Sequence, residues 1–321
     1  MFGVTAGYHR YFSHKSFATG RVFQFVLAFL AQSSAQKSVL WWAAKHRHHH
    51  LHSDSIEDTH SPRHFGFVYS HVGWIFARRH DLTEFTAVPD LVRFPELRLL
   101  DKVEMAPAVL LGAFCFFVAG WPGLVVGFLW STVLVWHATF CINSLAHVRG
   151  SKRYVTGDDS RNNLALAILT MGEGWHNNHH AYPSSARQGF RWWEVDVTYY
   201  VLLLLARLRI VRNLKVPQTS VLRNEHKLPV RAIQRAAEQL ASCFDSEQIA
   251  QMIARARGKA TETVAGLHLP HVPHIPTRAE FLARAREMFA HTASLDTIVD
   301  RGRELVLASV GRHLGLPVTT H

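Results

Sequence analysis

A long apolar stretch without charged residues lies in the middle of the chain. From Met105 to Val148 the sequence contains no Asp, Glu, Lys or Arg over 44 residues. One membrane-spanning helix needs about 20 apolar residues, so a run of this length accommodates two. The stretch Gly120-Trp121-Pro122-Gly123 interrupts the run, and Pro and Gly mark turns between helices. The pattern predicts a membrane hairpin over about 105–147, with a buried soluble helix pair as the alternative.

Basic residues stand on both sides of this hairpin, whereas its turn carries no charge. They are Arg93, Arg98 and Lys102 before it and Arg149, Lys152 and Arg153 after it. Cytoplasmic flanks of membrane helices carry an excess of Lys and Arg, so both ends are predicted to face the cytoplasm. We therefore expect an integral membrane protein of a bacterial-type inner membrane, with its polar segments on the cytoplasmic side.

The rest of the chain has helical periodicity. Residues 21–43 are apolar at first and then polar, which is typical of an interfacial helix. Residues 229–258 and 277–311 place Arg, Glu and Ala on polar helix faces. These patterns predict an all-α protein with a main domain over residues 1–215 and a helical C-terminal extension of unknown role over 216–321.

The composition narrows the classes of partner. The 321 residues carry a formal net charge of +11, which suits an anionic membrane surface or an acidic ligand. No basic stripe interleaved with aromatic residues occurs, so nucleic acid is not an expected partner. The three cysteines form no CxxC pair, and they indicate neither a disulfide scaffold nor a sulfur-ligated metal.

Histidines form the candidate chemistry. His46, His49 and His50 stand at i, i+3 and i+4, and His176, His179 and His180 repeat that spacing, which places each trio on one helical face. His9 and His14 are five residues apart, so they converge only at a helix end in an α-helix. Asn143 and His147 stand at i and i+4 near the end of the second predicted span.

Nine histidines exceed the four ligands of a structural zinc site, so the clusters predict two metal ions. An all-nitrogen ligand set leaves zinc, iron, copper and nickel open. A histidine-rich surface without a metal is the other interpretation.

Three motifs resemble the histidine boxes of the membrane fatty acyl desaturases. They are HRYFSH, HRHHH and HNNHH, and they stand in the stretches GVTAGYHRYFSHKSF, EDTHSPRHFGFVYSHVGW, NSLAH and GEGWHNNHHAYP. Together these stretches are similar to the acyl-CoA delta-9 (stearoyl-CoA) branch over roughly residues 1–215. The resemblance implies two Fe²⁺ ions, O₂ as co-substrate, and formation of a cis double bond in a saturated acyl chain.

The resemblance also implies roles for individual residues. The metal ligands would be His9, His14, His46, His49, His50, Asn143, His147, His176, His179 and His180, with Asn143 acting through a water molecule and no further catalytic residue. Glu173, Asp54, Glu57 and Asp58 are candidates to orient the imidazoles. Trp41 and Trp175 are expected in channel walls, and Trp42, Lys45, Arg93 and Phe140 are the expected substrate-binding residues.

Two departures from the family pattern leave questions open. In the animal enzymes an Arg-Asp pair precedes the second box, whereas Ala44-Lys45 stands here, so acyl-CoA or another acyl carrier is expected. In the family two spans precede the first box, whereas His9 lies eight residues after Met1. We therefore expect an N-terminus that lacks those spans.

Neither a fused haem motif nor a dinucleotide fingerprint occurs, so an external donor is expected, either a ferredoxin or a cytochrome with its reductase. The alternatives are a related di-iron membrane hydroxylase of fatty acyl or alkyl chains and a non-redox metal-binding membrane protein.

Overall fold

The described chain is mostly helical in a computed structural model, which describes residues 1–223, 230, 233–235, 237–238 and 277–291. The α-helices are α1 (Arg21–Gln32), α2 (Val39–His52), α3 (Pro62–Phe65), α4 (Phe67–His71), α5 (Pro89–Val92), α6 (Pro95–Lys102), α7 (Ala106–Pro122), α8 (Ser131–Asn143), α9 (Leu164–Leu169), α10 (His176–Ala181), α11 (Val197–Arg207), α12 (Thr219–Leu222) and α13 (Arg278–His291). Two π-helical segments span Gly3–Ser13 and Gly123–Trp130, and short 3₁₀ helices span Gly73–Phe76, Arg78–His80, Phe85–Ala87 and Leu145–His147. The predicted helical class is confirmed for the described residues.

Two short strands complete the described secondary structure. β1 (Ala18–Thr19) pairs antiparallel with β2 (Val211–Arg212), and Ala18 stands opposite Arg212. This pairing ties the segment after the first histidine box to the segment after α11.

The helical stretch over residues 106–147 is interrupted at Ala119 and Gly120, whereas the predicted crossing of a membrane by a hairpin stays a prediction. Both residues leave the helical conformation, and Gly120 has a φ of 59°, which is a conformation that suits glycine. The chain reverses there, so that the ring of Phe128 lies against Gly112. Residues 106–147 have a mean hydropathy of 2.2 in their best window, of which only 6% is buried. Among the described residues, this is the one stretch long and apolar enough to cross a membrane.

The core lies between the first π-helical segment and helices α1, α2 and α6. Its fully buried members include Tyr8, Leu27, Leu40 and Leu97. α1 is amphipathic, because Leu27 and neighbouring alanines face this core while Val22 is 82% exposed. This packing fixes the N-terminal segment against α2, and these two elements carry the first two histidine boxes.

Residues Met1–Arg153 and Asp159–Leu222 form one compact unit. Within the predicted C-terminal extension, the expected helix at 277–311 is described over Arg278–His291. The expected helix at 229–258 lies almost wholly outside the described residues. The division at residue 215 stays a prediction.

Replacement of Gly123 should open the hairpin. A Cβ atom at this position would overlap the backbone carbonyl oxygen of Cys115, which belongs to the opposite arm. Because overpacking costs about 1–3 kcal/mol, Gly123→Ala should lower the thermal midpoint of the detergent-solubilised protein by several degrees. Gly127→Ala is the matched control, since its new Cβ would meet the Cys115 Sγ at 3.7 Å and the Cys115 Cβ at 3.9 Å, which are ordinary van der Waals contacts. Equal midpoints for the two variants would contradict the close approach.

Candidate metal centre

A π-helix brings the first two histidines together. Gly3–Ser13 is π-helical, and such a helix bonds residue i to residue i+5. The His14 amide donates to the His9 carbonyl oxygen at 3.2 Å. A spacing of five residues separates two side chains in an α-helix, but in this π-helix it brings them to the same side. The ring centroids of His9 and His14 therefore lie 4.9 Å apart.

The histidines divide into two sets. The first set consists of His9, His14, His46, His50 and His179, and the second set consists of His49, His147, His176 and His180. Within each set one nitrogen from every residue lies within 4.8 Å of all the others.

The second and third boxes interlock across these sets. On α2, His46 and His50 join the first set, while His49 joins the second. On α10 the pattern is reversed, because His179 joins the first set and His176 and His180 join the second. Each box therefore gives an i, i+4 pair to one position and a single histidine to the other, which couples the two positions rigidly.

The nitrogen spacings test whether a metal ion fits. In the first set, the Nε2 atoms of His14 and His46 lie 2.8 Å apart, and those of His9 and His179 lie 3.0 Å apart. In the second set, the Nε2 atoms of His147 and His176 lie 3.1 Å apart. Imidazole nitrogens bound at right angles to one cation at about 2.1 Å would stand about 3 Å apart. The spacings therefore fit two metal ions.

Carboxylates lie behind three of these histidines. Asp58 Oδ1 is 3.0 Å from His49 Nδ1, and Asp54 Oδ2 is 2.8 Å from His147 Nδ1. Glu173 pairs with His9 Nδ1. A carboxylate that accepts the Nδ1 proton leaves Nε2 free for a metal and fixes the ring orientation.

The fourth carboxylate predicted to orient a ligand, Glu57, lies elsewhere. It pairs with His52, which belongs to neither set. The carbonyl oxygen of Glu57 lies 2.9 Å from His48 Nε2. His48 and His52 therefore stand beside the centre without joining it.

Arg10 holds the third box against the first. Its guanidinium is 1% exposed and donates to Glu173 Oε1 at 3.0 Å and to Asp196 Oδ2 at 3.1 Å. Because a buried charge without partners is very costly, this network stabilises the segment around Glu173 at a defined position. Arg10 lies between the two histidines of the first box, and its partners Glu173 and Asp196 are more than 160 residues away in the sequence, so no local spacing could have identified them.

The cluster favours neutral imidazoles. Burial lowers the pKa of His14, His46, His50, His176 and His179 well below the ordinary value of 6.5, and neighbouring histidines lower it further. Burial alone would raise the pKa of Glu173, but His9 and Arg10 outweigh it and lower the pKa. The site therefore presents uncharged ligand nitrogens next to ionised carboxylates.

A cavity of about 210 Å³ reaches this centre. Its aromatic wall residues are Trp41, Trp42, Trp74, Trp136 and Phe140. His46 of the first set and Asn143 at the end of α8 also line it. The cavity thus extends from the apolar hairpin to the histidines.

The predicted substrate-binding residues occupy different places. Trp42, Lys45 and Phe140 line the cavity. The Lys45 side chain is 7% exposed and its Nζ lies 2.7 Å from Glu84 Oε1. Arg93 lies over the ring of Phe94 and is not among the lining residues. Trp175, an expected wall residue, donates its indole N–H to the Val195 carbonyl oxygen instead of lining the cavity.

Comparisons with known proteins identify the family of this chain. The family model for fatty acid desaturases matches residues 1–206. An acyl-CoA 5-desaturase from Anemone leveillei is 38% identical over 220 residues, which are 68% of this chain and 68% of that protein. The sn-1 stearoyl-lipid 9-desaturase of Anabaena variabilis is 37% identical over 217 residues, which are 67% of this chain and 79% of that protein. The chain therefore belongs to the fatty acid desaturase family, while the predicted delta-9 stearoyl-CoA branch stays a prediction.

Acid should destabilise the metal-free protein. The unfolded chain protonates its histidines near pH 6.5, whereas burial lowers the pKa of His14 and His46 in the folded cluster and keeps these rings neutral to lower pH. The unfolded state therefore binds more protons below about pH 6.5, and each such histidine costs up to about 1.4 kcal/mol per pH unit. Thermal unfolding of the metal-free protein should shift to lower temperature from about pH 7 to about pH 5. A constant midpoint over this range would contradict the neutral cluster.

Proposed function

We propose that this chain is an oxygen-dependent acyl desaturase that forms a cis double bond in a saturated fatty acyl chain at two histidine-bound iron ions. The observation that carries the proposal is the interlocking of nine histidines into two sets, one of five and one of four. Iron supplies the oxidising chemistry that removal of hydrogen from an unactivated methylene group requires.

The protein's own residues would hold the irons and keep them oriented. The Nε2 atoms of the first set converge from three separate segments of the chain. Asp54, Asp58 and Glu173 fix the rings of His147, His49 and His9 from behind. Asn143, at the end of α8, lines the cavity together with His46, and we propose that it acts on the centre through a water molecule.

The cavity would hold the acyl chain next to the irons. Its Trp and Phe side chains exclude water from the methylene groups, and such apolar walls with few polar groups are typical of ligand sites. The charged residues that line it include Lys45 and Asp81. We propose that these residues receive the polar end of the substrate.

The carrier and the position of the double bond form the finer part of the proposal. The stretches GEGWHNNHH and NSLAH support desaturation over hydroxylation, and the resemblance of all four quoted stretches to the acyl-CoA delta-9 branch supports insertion at carbon 9. The relatives named above act on a CoA-linked chain at position 5 and on a lipid-linked chain at position 9. We propose the acyl-CoA substrate and the delta-9 product, with another acyl carrier as the open alternative.

We also propose the cellular setting. The exposed apolar stretch 106–147 and its basic flanks support an integral membrane protein whose active site faces the cytoplasm. Two electrons from outside the chain complete the reduction of O₂ to water, and a ferredoxin or a cytochrome with its reductase would supply them.

Expression in a host that cannot make unsaturated fatty acids tests the reaction. The host lipids should contain a new cis-monounsaturated chain, with its double bond at carbon 9, by gas chromatography and mass spectrometry. A hydroxylated chain would instead indicate the related hydroxylase, and unchanged lipids despite membrane insertion and a suitable electron donor would contradict the proposal.

His179→Ala tests the ligand assignment. It removes one of five nitrogens from the first set and should abolish the new double bond while leaving the protein in the membrane. His48→Ala is the matched control, because His48 lies on the same helix as His46 but belongs to neither set. Wild-type activity in the His179→Ala variant would remove His179 from the proposed centre.

Deletion of residues 224–321 tests the proposed domain organisation. All proposed ligands precede this segment, so the shortened protein should still form unsaturated lipid in membranes. Complete loss of activity with normal expression and normal iron content would show that the C-terminal extension belongs to the catalytic unit.

A further inference from the structure

Gln188 lies behind the first histidine set in the loop between α10 and α11. Gln188 is 1% exposed. Its backbone amide donates to Asp196 Oδ2 at 2.7 Å, and its carbonyl oxygen accepts from Asn178 Nδ2 at 2.9 Å. Both backbone groups are therefore fixed by buried side chains, so the direction of the Gln188 side chain is fixed as well.

The Gln188 side-chain amide lies near two ligands, His9 and His179, which are 170 residues apart in the sequence. Its nitrogen lies 3.3 Å from His9 Nδ1 and 3.4 Å from His179 Nδ1. Its buried Oε1 atom has no hydrogen-bond partner among the described residues. A buried amide oxygen without a partner is costly, so an amide orientation that turns the oxygen toward an N–H donor would be favoured.

The direction of the two imidazoles decides which amide atom faces them. His9 and His179 turn their Nε2 atoms toward each other, 3.0 Å apart, inside the first set. When Nε2 binds a metal, Nδ1 carries the proton and becomes a donor. An amide N–H group facing Nδ1–H would repel it, whereas the amide oxygen would accept it. The oxygen and nitrogen of glutamine are assigned by their hydrogen bonds, and a half-turn of the amide exchanges them.

We infer that Gln188 is a positioning residue, whose side-chain oxygen accepts the Nδ1 proton of His179 and holds that imidazole in its metal-binding tautomer. His9 has Glu173 for its own Nδ1 proton, so Gln188 serves His179. This inference deepens the proposed function, because it rests on the same metal centre.

The inference makes the two metal positions unequal. In the second set, Asp58 and Asp54 stand behind His49 and His147. In the first set, one carboxylate stands behind His9 and a neutral amide stands behind His179. A carboxylate partner makes an imidazole a stronger electron donor than an amide does. A carboxylate therefore stands behind one of the five rings in the first set and behind two of the four rings in the second.

Two substitutions at Gln188 separate hydrogen bonding from packing. Gln188→Leu removes the acceptor, and Gln188→Glu keeps an acceptor at the same place. Loss of a group behind a metal ligand typically costs about 10–100-fold in metal affinity. Gln188→Leu should therefore bind one of its two irons about 10–100-fold more weakly in a chelator titration, and Gln188→Glu should retain both. The Mössbauer signal of one iron should change in the glutamate variant while the other stays.

Gln32→Leu is the matched control. Gln32 is a fully buried glutamine that donates to the Leu100 and Glu104 carbonyl oxygens and touches no histidine of either set. It should bind both irons as the wild type does. The inference is overturned if Gln188→Leu keeps wild-type affinity, or if the leucine and glutamate variants lose iron equally.

The titration also separates this inference from the proposed reaction. A wild-type protein that binds two irons but forms no double bond contradicts the reaction alone. If the wild type takes up no iron, the proposed function fails, and the same titration with Zn²⁺ then tests Gln188.

Discussion

The crowding of nine imidazoles in one buried region is the constraint on which the rest of the structure depends. Nitrogens 2.8–3.1 Å apart cannot all be protonated, and burial lowers the pKa of these rings so that they stay neutral. The nitrogen lone pairs of these neutral rings converge and repel one another. A cation bound between them would turn this repulsion into attraction. A cation would offset the cost of removing so many polar groups from water.

The fold meets this constraint by joining distant segments rigidly. The π-helix aligns His9 with His14, and the boxes on α2 and α10 exchange their members between the two sets. Arg10 then connects the first π-helical segment to the segments after α9 and after α10 through Glu173 and Asp196. Displacement of α2 or of α10 would disturb both metal positions, because each of these helices contributes ligands to both sets.

The spacing of residues in the sequence predicted much of this arrangement, and the features that it did not predict have physical causes. The nine histidines and the carboxylates Asp54, Asp58 and Glu173 were foreseen, because box spacings and nearby acids are local signals. The division into sets of five and four was not, since residues at i, i+3 and i+4 share a helical face and the partner segments decide which position each one joins. The π-helix was missed because the first box was considered with α-helical geometry.

The remaining site residues depend on tertiary contacts that no local pattern reveals. Gln188 stands in a loop without periodicity, and its importance follows only from its distance to His9 and His179. Arg93 carried the right charge for an anionic substrate, yet the fold places it over Phe94, away from the cavity. Charge and composition predict a class of partner, whereas packing decides which side chains meet it.

Anomalous diffraction at the iron edge, on crystals of the iron-loaded protein, tests the central claim most directly. The account predicts two iron peaks per chain, one among His9, His14, His46, His50 and His179 and one among His49, His147, His176 and His180. A single peak, or peaks outside these two sets, would contradict the account.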